Sequence, residues 1–469
     1  MTLIIILLLL LSYLLIATTH LTGVNKAAIS IFLAATGWVV YIIWGNDFVM
    51  DMHPGAYEAF LDGNAASSEQ VKNFIYDSIF LKYVGKAAAI VMYLLATMSI
   101  IDILNTNGCF DFISEWIRTR ETKRLLWTIT LATFILSANL DNLTTTIVML
   151  VIMHNIVKSR AQRMFIGSAI VLAAVCGGCF TVIGDPTGLM LWANEAVTAS
   201  DFSSYLAWPA LAAWVVPTYL IGRQLPSRLD IEWGVAPFRG DDTRLNRWQR
   251  MLMFLVGIGG LWFVPTFLSI TRLPAFLGAL VVLALLWVVN EAFNRKLMNA
   301  DQTSQRRIPR VIQYEAIQQM LFVMGIMLGL GVVSETGVFT EVADWIDATI
   351  GNLWVVGILS GILSSLVDSF TIAASDISLY PVLQPSQLEL VPDAEYMAQF
   401  VKNGAYWKII AYSTAVGGCL LSVGSTSGMA LMKMEHVRLG WYVKHLSLKV
   451  LAGWLVGLAV LWFEINMYN

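Results

Sequence analysis

Long apolar runs constrain this chain more than any other feature of its sequence. Many of them approach the roughly 20 residues that an α-helix needs to cross a bilayer, and they are too long for barrel strands. Of the 469 residues, 57% are hydrophobic and 13% are charged, whereas soluble domains carry about 25% charged residues. The sequence therefore predicts an all-α polytopic membrane protein with the lipid bilayer as its surroundings.

Basic residues set the orientation of the predicted spans. We predict spans at about 2–20, 27–45, 80–105, 164–198, 203–222, 251–270, 273–293, 312–335, 403–432 and 447–465. Lysines and arginines cluster in alternate loops, which the positive-inside rule places in the cytoplasm, and Lys26 lies in the first of these loops. We therefore expect a multi-pass protein of the cytoplasmic (inner) membrane with both termini outside. A net charge of −3 gives no basis for binding nucleic acid.

A polar stretch interrupts the apolar runs at 137–146, where the chain reads Ser-Ala-Asn-Leu-Asp-Asn-Leu-Thr-Thr-Thr. It carries a carboxylate, amides and hydroxyls into a hydrocarbon environment, where unpartnered polar groups are costly and mark a functional site by default. Both flanks are basic, so the segment 124–157 enters and leaves on the cytoplasmic face. We predict that it is a re-entrant helical hairpin.

The polar stretch has a second copy downstream. Asp141 matches Asp368 at an offset of 227 (368 − 141), and the neighbouring serines and threonines keep the same offset. The glycine-rich stretches 177–188 and 417–428 match at an offset of 240 (417 − 177). The sequence therefore predicts an internal duplication, with a second re-entrant hairpin at 352–380 that enters from the outside.

Each repeat contains five spans and one hairpin, and this odd number of crossings inverts the second repeat relative to the first. We predict a first repeat at 1–225, a cytoplasmic connector at 226–250 and a second repeat at 251–469. The residues at 184–188 and 424–428 are of the types that end helices, so they predict two broken transmembrane helices. Inverted repeats with broken helices are typical of secondary transporters, whose site lies near the midplane of the bilayer.

The polar residues of the two hairpins and two breaks are oxygen ligands that suit a small hard cation. The candidate ion-binding residues are Asp141, Asn142, Thr144, Thr145, Asp185, Thr187, Asp368, Ser369, Thr371, Ser425 and Ser427. The acids Asp141, Asp185 and Asp368 are the candidate Na+ ligands, and they argue against an anion site, which would need cationic side chains or exposed helix N-termini. Burial disfavours a charged carboxyl, so the same oxygens can hold either a proton or a cation. We expect exchange by competition, without enzymatic activity and without a cofactor other than the transported ions.

Four stretches of the chain together resemble the NhaD-type sodium/proton antiporters of the ion transporter superfamily. They are Asn139-Leu-Asp141-Asn142-Leu-Thr-Thr-Thr, Gly177-Gly-Cys-Phe-Thr-Val-Ile-Gly184-Asp185, Val367-Asp368 and Gly417-Gly-Cys-Leu-Leu-Ser-Val-Gly424-Ser. The resemblance implies exchange of Na+ or Li+ for H+ by a fold of inverted repeats, re-entrant hairpins and broken helices that moves as an elevator. The cation-binding residues that it implies are Asp141, Asn142, Thr144, Asp185, Asp368, Ser425 and Ser427.

The chain departs from that family pattern at three places. It has Lys86 early in the third span where the family has an acid, Ser369 where the second hairpin has Asn, and Pro186 where a Thr-rich run begins. Lys86 could snorkel to the outer surface, pair with Asp102 or another buried acid, or replace one ion. Asp102 and Lys86 are the candidate proton relay.

Three other functions stay open at this point. A sodium-coupled dicarboxylate or inorganic-anion symporter of the same superfamily would suit Lys86, but it predicts Ser-Asn-Thr at both hairpin turns, which neither turn has. An intramembrane aspartyl protease could pair Asp141 or Asp368 with Asp185, although a protease needs no duplication. A cation channel could use the hairpins as its filter. The sequence also leaves a homodimer open.

Overall fold

The architecture is helical throughout the part of the chain that the computed structural model describes, which is residues 1–45, 48–49, 52–62, 66–110, 112, 119, 121–230, 245–294, 310–390 and 394–468. Every regular element in these ranges is a helix. Eight of these helices are long and apolar enough to cross a membrane: Lys26–Trp44, Ser68–Thr106, Arg160–Cys179, Ala199–Gly222, Arg247–Thr271, Ala275–Phe293, Ala316–Ser334 and Leu439–Met467. The prediction of an all-α polytopic membrane protein is therefore confirmed.

The helices of the two halves follow one another in the same order. In the first half they are α1 (Thr2–Ala17), α2 (Lys26–Trp44), α3 (Leu81–Thr106), α4 (Thr122–Ser137), α5 (Asn142–Ile156), α6 (Arg160–Cys179), α7 (Pro186–Ala193) and α8 (Ala199–Gly222). In the second half they are α9 (Arg247–Thr271), α10 (Ala275–Asn294), α11 (Arg310–Ser334), α12 (Val338–Thr349), α13 (Leu353–Leu366), α14 (Ser369–Leu379), α15 (Ala405–Gly417), α16 (Thr426–Glu435) and α17 (Leu448–Tyr468).

Shorter pieces connect these elements. Short α-helices lie at Thr19–Thr22, Pro54–Leu61, Ser68–Phe74, Ala394–Met397 and Leu439–Tyr442, and 3-10 turns at Pro385–Leu390, Ala398–Phe400 and Gly418–Leu420. Three π-helical turns lie at Ile75–Phe80, Leu255–Gly259 and Val443–Ser447, where a short helix continues into a longer one. The predicted connector 226–250 lies mostly outside the described residues, and its last part is already helical because α9 begins at Arg247.

Packing between the elements repeats from one half to the other. The second helix of the first half, α2, packs along α11, and its counterpart α10 packs along α3. In the same way α4 packs on α6 and α13 packs on α15, while α8 and α17 pack on each other. These reciprocal contacts are the ones that two repeats related by a twofold axis would make. The boundaries of the repeats, 1–225 and 251–469, stay a prediction.

Two helix–turn–helix units occupy the places where the hairpins are predicted. The first consists of α4 and α5, joined at 138–141, and the second consists of α13 and α14, joined at 367–368. Their helices contain 16, 15, 14 and 11 residues, which at 1.5 Å per residue is about 16 to 24 Å, less than the roughly 30 Å of a hydrocarbon core. Their re-entrant course stays a prediction that these lengths favour.

The two long helices are interrupted slightly earlier than predicted. One interruption separates Cys179, where α6 ends, from Pro186, where α7 begins; the other follows the 3-10 turn Gly418–Leu420 and ends where α16 begins at Thr426. The placement at 184–188 and 424–428 needs correction, because those stretches contain the end of each break and the first turn of the next helix. Pro186 occupies the N1 position, where its fixed φ favours a helix and its missing N–H has no cost.

Candidate functional site

Four helices begin close together, and each has a polar N-cap that accepts a backbone hydrogen bond. The caps are Asp141 for α5, Asp185 for α7, Asp368 for α14 and Ser425 for α16. A side-chain oxygen at this position accepts from the otherwise unpaired N–H groups of the first turn, and a carboxylate there also opposes the positive end of the helix dipole. All four caps are buried. The helix starts explain why these polar residues are tolerated inside the apolar runs.

Asp141 lies at the tip of the first helix–turn–helix unit and is 3% exposed. Its Oδ2 accepts from the backbone N–H of Thr144 at 3.1 Å and from the Thr144 hydroxyl at 3.3 Å. Its Oδ1 accepts from the side-chain amide of Gln319 on α11 at 3.2 Å. Each of these donors is neutral, so the hydrogen bonds leave the negative charge of an ionised Asp141 unbalanced.

Asp185 lies at the end of the first helix break, next to Asp141. Its Oδ1 accepts from the amide of Asn142 at 2.6 Å, and its Oδ2 accepts from the backbone N–H of Thr187 at 3.0 Å. It interacts electrostatically with Asp141 on one side and with Asp368 on the other. The three predicted sodium-binding acids therefore form one cluster, with Asp185 between the two hairpin tips.

Asp368 repeats the geometry of Asp141 in the second half but has a charged partner. Its Oδ2 accepts from the backbone N–H and the hydroxyl of Thr371, at 3.2 and 3.3 Å. Its Oδ1 accepts from Nζ of Lys26, the first residue of α2, at 2.9 Å. Ser425 takes the place of Asp185 and accepts from the backbone N–H of Gly428 at 2.9 Å. The second half thus contributes one acid and one base to the cluster.

Each hairpin tip is hydrogen-bonded to the broken helix of its own half. The hydroxyl of Ser137 donates to the carbonyl of Ala174 at 2.6 Å, and the hydroxyl of Ser364 donates to the carbonyl of Thr414 at 2.5 Å. Ser137 and Ser364 differ by 227 residues, and Ala174 and Thr414 by 240 (364 − 137 and 414 − 174). These are the two offsets of the sequence duplication, so the same contact exists in both halves.

Glycines allow the breaks to approach the hairpin tips closely. A methyl group on Gly184 would meet the backbone oxygen of Ser137 at 2.6 Å. A methyl group on Gly424 would meet the backbone of Ser364 and Ser365 more closely still. The carbonyl of Gly424 also accepts from the N–H of Ser369 at 2.7 Å. Only glycine fits at these two positions without a shift of the backbone.

Several buried oxygens near the carboxylates have no hydrogen-bond partner in the described part of the chain. They are Asn142 Oδ1, Thr145 Oγ1, Thr187 Oγ1, Gln319 Oε1 and Ser427 Oγ. Four of the five belong to residues that the sequence predicts as ion ligands. Unpartnered amide and hydroxyl oxygens beside carboxylates match the donor set that a small hard cation prefers.

A cavity of about 350 Å³ reaches this cluster. Its wall includes Lys26 and Gln319, the two residues that bond the hairpin carboxylates, together with Thr426 at the start of α16. It extends along α16 to Lys433, seven residues or about 10 Å further. The cavity therefore connects the carboxylate cluster with the basic end of the second broken helix.

The predicted relay residues Asp102 and Lys86 lie apart from each other on α3. Lys86 is exposed, and its Nζ donates to the side-chain oxygen of Asn194, just past the end of α7, at 3.0 Å. Asp102 is half-buried and lies 16 residues further along the same helix, which is about 24 Å. A Lys86–Asp102 pair is therefore wrong, and the structure favours the snorkelling lysine among the alternatives.

Three buried polar residues were not predicted as part of the site. Lys26 is 342 residues from its partner Asp368 and looks like a loop lysine in the sequence. Gln319 lies in an ordinary apolar span. Asp376 lies in α14, is 8% exposed, and has one carboxyl oxygen without a partner among the described residues. The last had a usable signal, since an acid inside a predicted membrane segment marks a functional candidate.

Comparison with known proteins gives both a family and individual relatives. A family model described as citrate transporter, CitMHS, matches residues 1–399. Over 443 residues the chain is 29% identical to "Sodium/proton antiporter 1" of Arabidopsis thaliana, covering 93% of this chain and 68% of that protein. Over 373 residues it is 24% identical to "Na(+)/H(+) antiporter NhaD" of Vibrio parahaemolyticus, covering 74% of this chain and 82% of that protein. These similarities confirm the resemblance to NhaD-type antiporters.

Proposed function

The chain belongs to the citrate transporter family, CitMHS, and from that premise we propose that it is a secondary transporter that exchanges Na+ or Li+ for H+ across the cytoplasmic membrane. Relatives named as sodium/proton antiporters match most of its length, which supports transport of a cation and a proton rather than enzymatic catalysis. The alkali cation and the proton are the proposed substrates, and the bilayer lipid is the surrounding partner.

The observation that carries this proposal is the buried cluster of Asp141, Asp185 and Asp368 with unpartnered neutral oxygens beside it. Three carboxylates with one lysine leave the cluster short of positive charge, and uncompensated charge in a membrane interior is costly. A proton or an alkali cation can each supply the missing positive charge. Because both bind the same oxygens, release of one accompanies uptake of the other, which is the chemistry of exchange.

Access to the cluster is proposed to alternate between the two membrane faces. The cavity that ends at Lys433 supports access from the side where basic residues cluster, which we assign to the cytoplasm. The short helix–turn–helix units α4–α5 and α13–α14 support re-entrant hairpins that enter from opposite faces. We infer that the hairpins and broken helices move together as an elevator past α2, α3, α10 and α11, with both termini outside.

A sodium-coupled carboxylate symporter is the second candidate, because a specific feature of the cavity favours it. Lys26 and Lys433 both line the cavity, and no carboxylate residue is among the residues that form its wall in the described part of the chain. Two lysines suit an anion such as citrate, the substrate in the family's description. Against this candidate, Lys26 already binds Asp368, and Asp141 and Asp185 face the same region.

The experiment that separates the two candidates is transport by purified protein in proteoliposomes with a pH-sensitive dye inside. With an imposed pH gradient, we expect Na+ and Li+ to dissipate the gradient and citrate or succinate to have no effect. Empty liposomes and protein carrying Asp141→Asn are the controls. Uptake of labelled citrate that depends on Na+, without dissipation of the gradient by an alkali cation, would contradict the proposal in favour of the symporter.

A further inference from the structure

The environment of Lys26 carries an inference that rests on the proposed exchange and makes it more specific. Its side chain is 10% exposed, that of Asp368 is 1% exposed, and the two are 2.9 Å apart. A lysine at such depth is rare unless paired, since an isolated ammonium in an apolar surrounding is very costly. Lys26 is therefore part of the site itself rather than a lysine of the predicted loop.

The corresponding place in the first half has no positive charge. Oδ1 of Asp141 accepts from the neutral amide of Gln319, whereas Oδ1 of Asp368 accepts from the ammonium of Lys26. The other carboxyl oxygen of each acid has the same threonine donors at nearly the same distances. The two tips are thus matched in geometry and differ in whether a cation is already bound.

The residue beside each tip increases this difference. The first break ends with Asp185, whose donors Asn142 and Thr187 are neutral, while the second break ends with Ser425. In the described part of the chain, the first half therefore has two carboxylates that bond only neutral groups. The second half has one carboxylate that bonds a lysine. Four of the five unpartnered oxygens at the cluster also lie on the first-half side or on Gln319.

We propose that Lys26 is a tethered cation that occupies Asp368, so that the protein binds a single alkali ion, held by Asp141 and Asp185 in the first half. An internally duplicated site would otherwise offer one ion position at each hairpin tip. The lysine ammonium fills the second position with a charge that cannot leave the protein. Lys26 is a positioning residue in this scheme, because it sets how many ions the site takes without touching the transported ion.

The test is equilibrium binding of radioactive sodium to the purified full-length protein, counted per chain. We expect about one sodium ion for the unaltered protein and for Lys26→Arg, which keeps the charge, and about two for Lys26→Met, which frees Asp368 to bind a cation. Lys408→Met is the matched control, because Lys408 also forms a buried 2.9 Å pair, with Asp201, away from the cluster. It should leave the count at about one.

The double variant Lys26→Met with Asp368→Asn keeps the proposal testable if Lys26→Met alone does not fold. Removing both partners leaves no unpaired charge, and we expect about one sodium ion again. Two ions bound by the unaltered protein, one ion bound by folded Lys26→Met, or none bound by the double variant would each overturn the assignment of Lys26. Absence of both sodium binding and sodium/proton exchange in the unaltered protein would instead overturn the proposed function.

Discussion

Asp141 and Asp368 cap their helices with the same pair of bonds, from the N–H and the hydroxyl of a threonine three residues further on. They differ in the group that approaches from the opposite side, which is an amide from α11 for Asp141 and an ammonium from α2 for Asp368. Because α2 and α11 pack along each other, both groups come from one helix pair. The comparison separates what the duplication kept from what it changed.

The backbone geometry of the tips was kept because it satisfies the helix ends. A cap residue, a serine that bonds the broken helix and a glycine that allows close approach are present in both halves. The charges were changed, since one half has two acids and the other has one acid paired with a base. The difference indicates that the two halves are structurally alike but divide the work of ion binding unequally.

The largest expected effect comes from neutralising the acid at each tip in turn. Asp141→Asn should weaken sodium-dependent exchange by about 100-fold or more, the equivalent of losing about 3 kcal/mol of charge interaction. Asp368→Asn should have a smaller effect on sodium affinity, because Lys26 occupies that carboxylate, but it should lower the melting temperature by leaving a buried lysine unpaired. The sodium concentration for half-maximal exchange and the melting curve measure the two effects.

The exposed acid Asp344 on α12 supplies the control for both variants. Asp344→Asn should match the unaltered protein in sodium dependence and in melting temperature. If Asp141→Asn and Asp368→Asn weakened sodium binding equally, the unequal division between the halves would be wrong.

The next effect tests the comparison by making the first half resemble the second. Gln319→Lys places an ammonium beside Asp141, as Lys26 lies beside Asp368, and should reduce the apparent sodium affinity by about 10-fold to 100-fold through competition for the same carboxylate. Gln318→Lys adds the same charge to the same cavity one residue earlier and should have a much smaller effect. Initial exchange rates against sodium concentration distinguish the two, and equal losses would show a general effect of charge in the cavity.

A smaller effect concerns the close approach of break and tip. Gly184→Ala and Gly424→Ala should each destabilise the protein by about 1–3 kcal/mol, because the added methyl group overlaps backbone atoms of the tip. Gly440→Ala is the control, since a methyl group there meets nothing within 4 Å. Melting temperatures in detergent provide the measurement. A stable Gly184→Ala beside an unstable Gly424→Ala would show that the two halves are not packed alike.

The smallest effect concerns the serine bonds that occur in both halves. Ser137→Ala and Ser364→Ala each remove one buried hydrogen bond to a carbonyl and should each cost about 1 kcal/mol. Thermal unfolding should therefore show small and nearly equal decreases for the two variants. A large difference between them would mean that one of the two matched contacts has another role.

Sequence patterns predicted the parts of the fold that depend on neighbours along the chain. The spans follow from apolar length, and the tips follow from Asp141 and Asp368, which carry the same local motif. The position of the first break was misjudged because Pro186 was taken as the residue that ends a helix, whereas it begins the next one. Proline has both roles, and the sequence around it does not decide between them.

The partners of the carboxylates were not predictable in the same way. Lys26 lies 342 residues from Asp368, and Gln319 lies 178 residues from Asp141. Both contacts depend on how α2 and α11 pack against the hairpins, which no local pattern encodes. The positive-inside rule also concealed Lys26, because a lysine between two spans has an ordinary explanation in a cytoplasmic loop.

The most direct test of the proposed exchange is calorimetric titration of the purified protein with sodium chloride in buffers of different ionisation enthalpy. If sodium and protons compete for the cluster, binding of sodium will release protons, and the measured heat will vary with the buffer. The double variant Asp141→Asn with Asp185→Asn will then show neither the heat nor the proton release. Sodium binding without release of protons, or binding of citrate in place of sodium, would contradict exchange at this site.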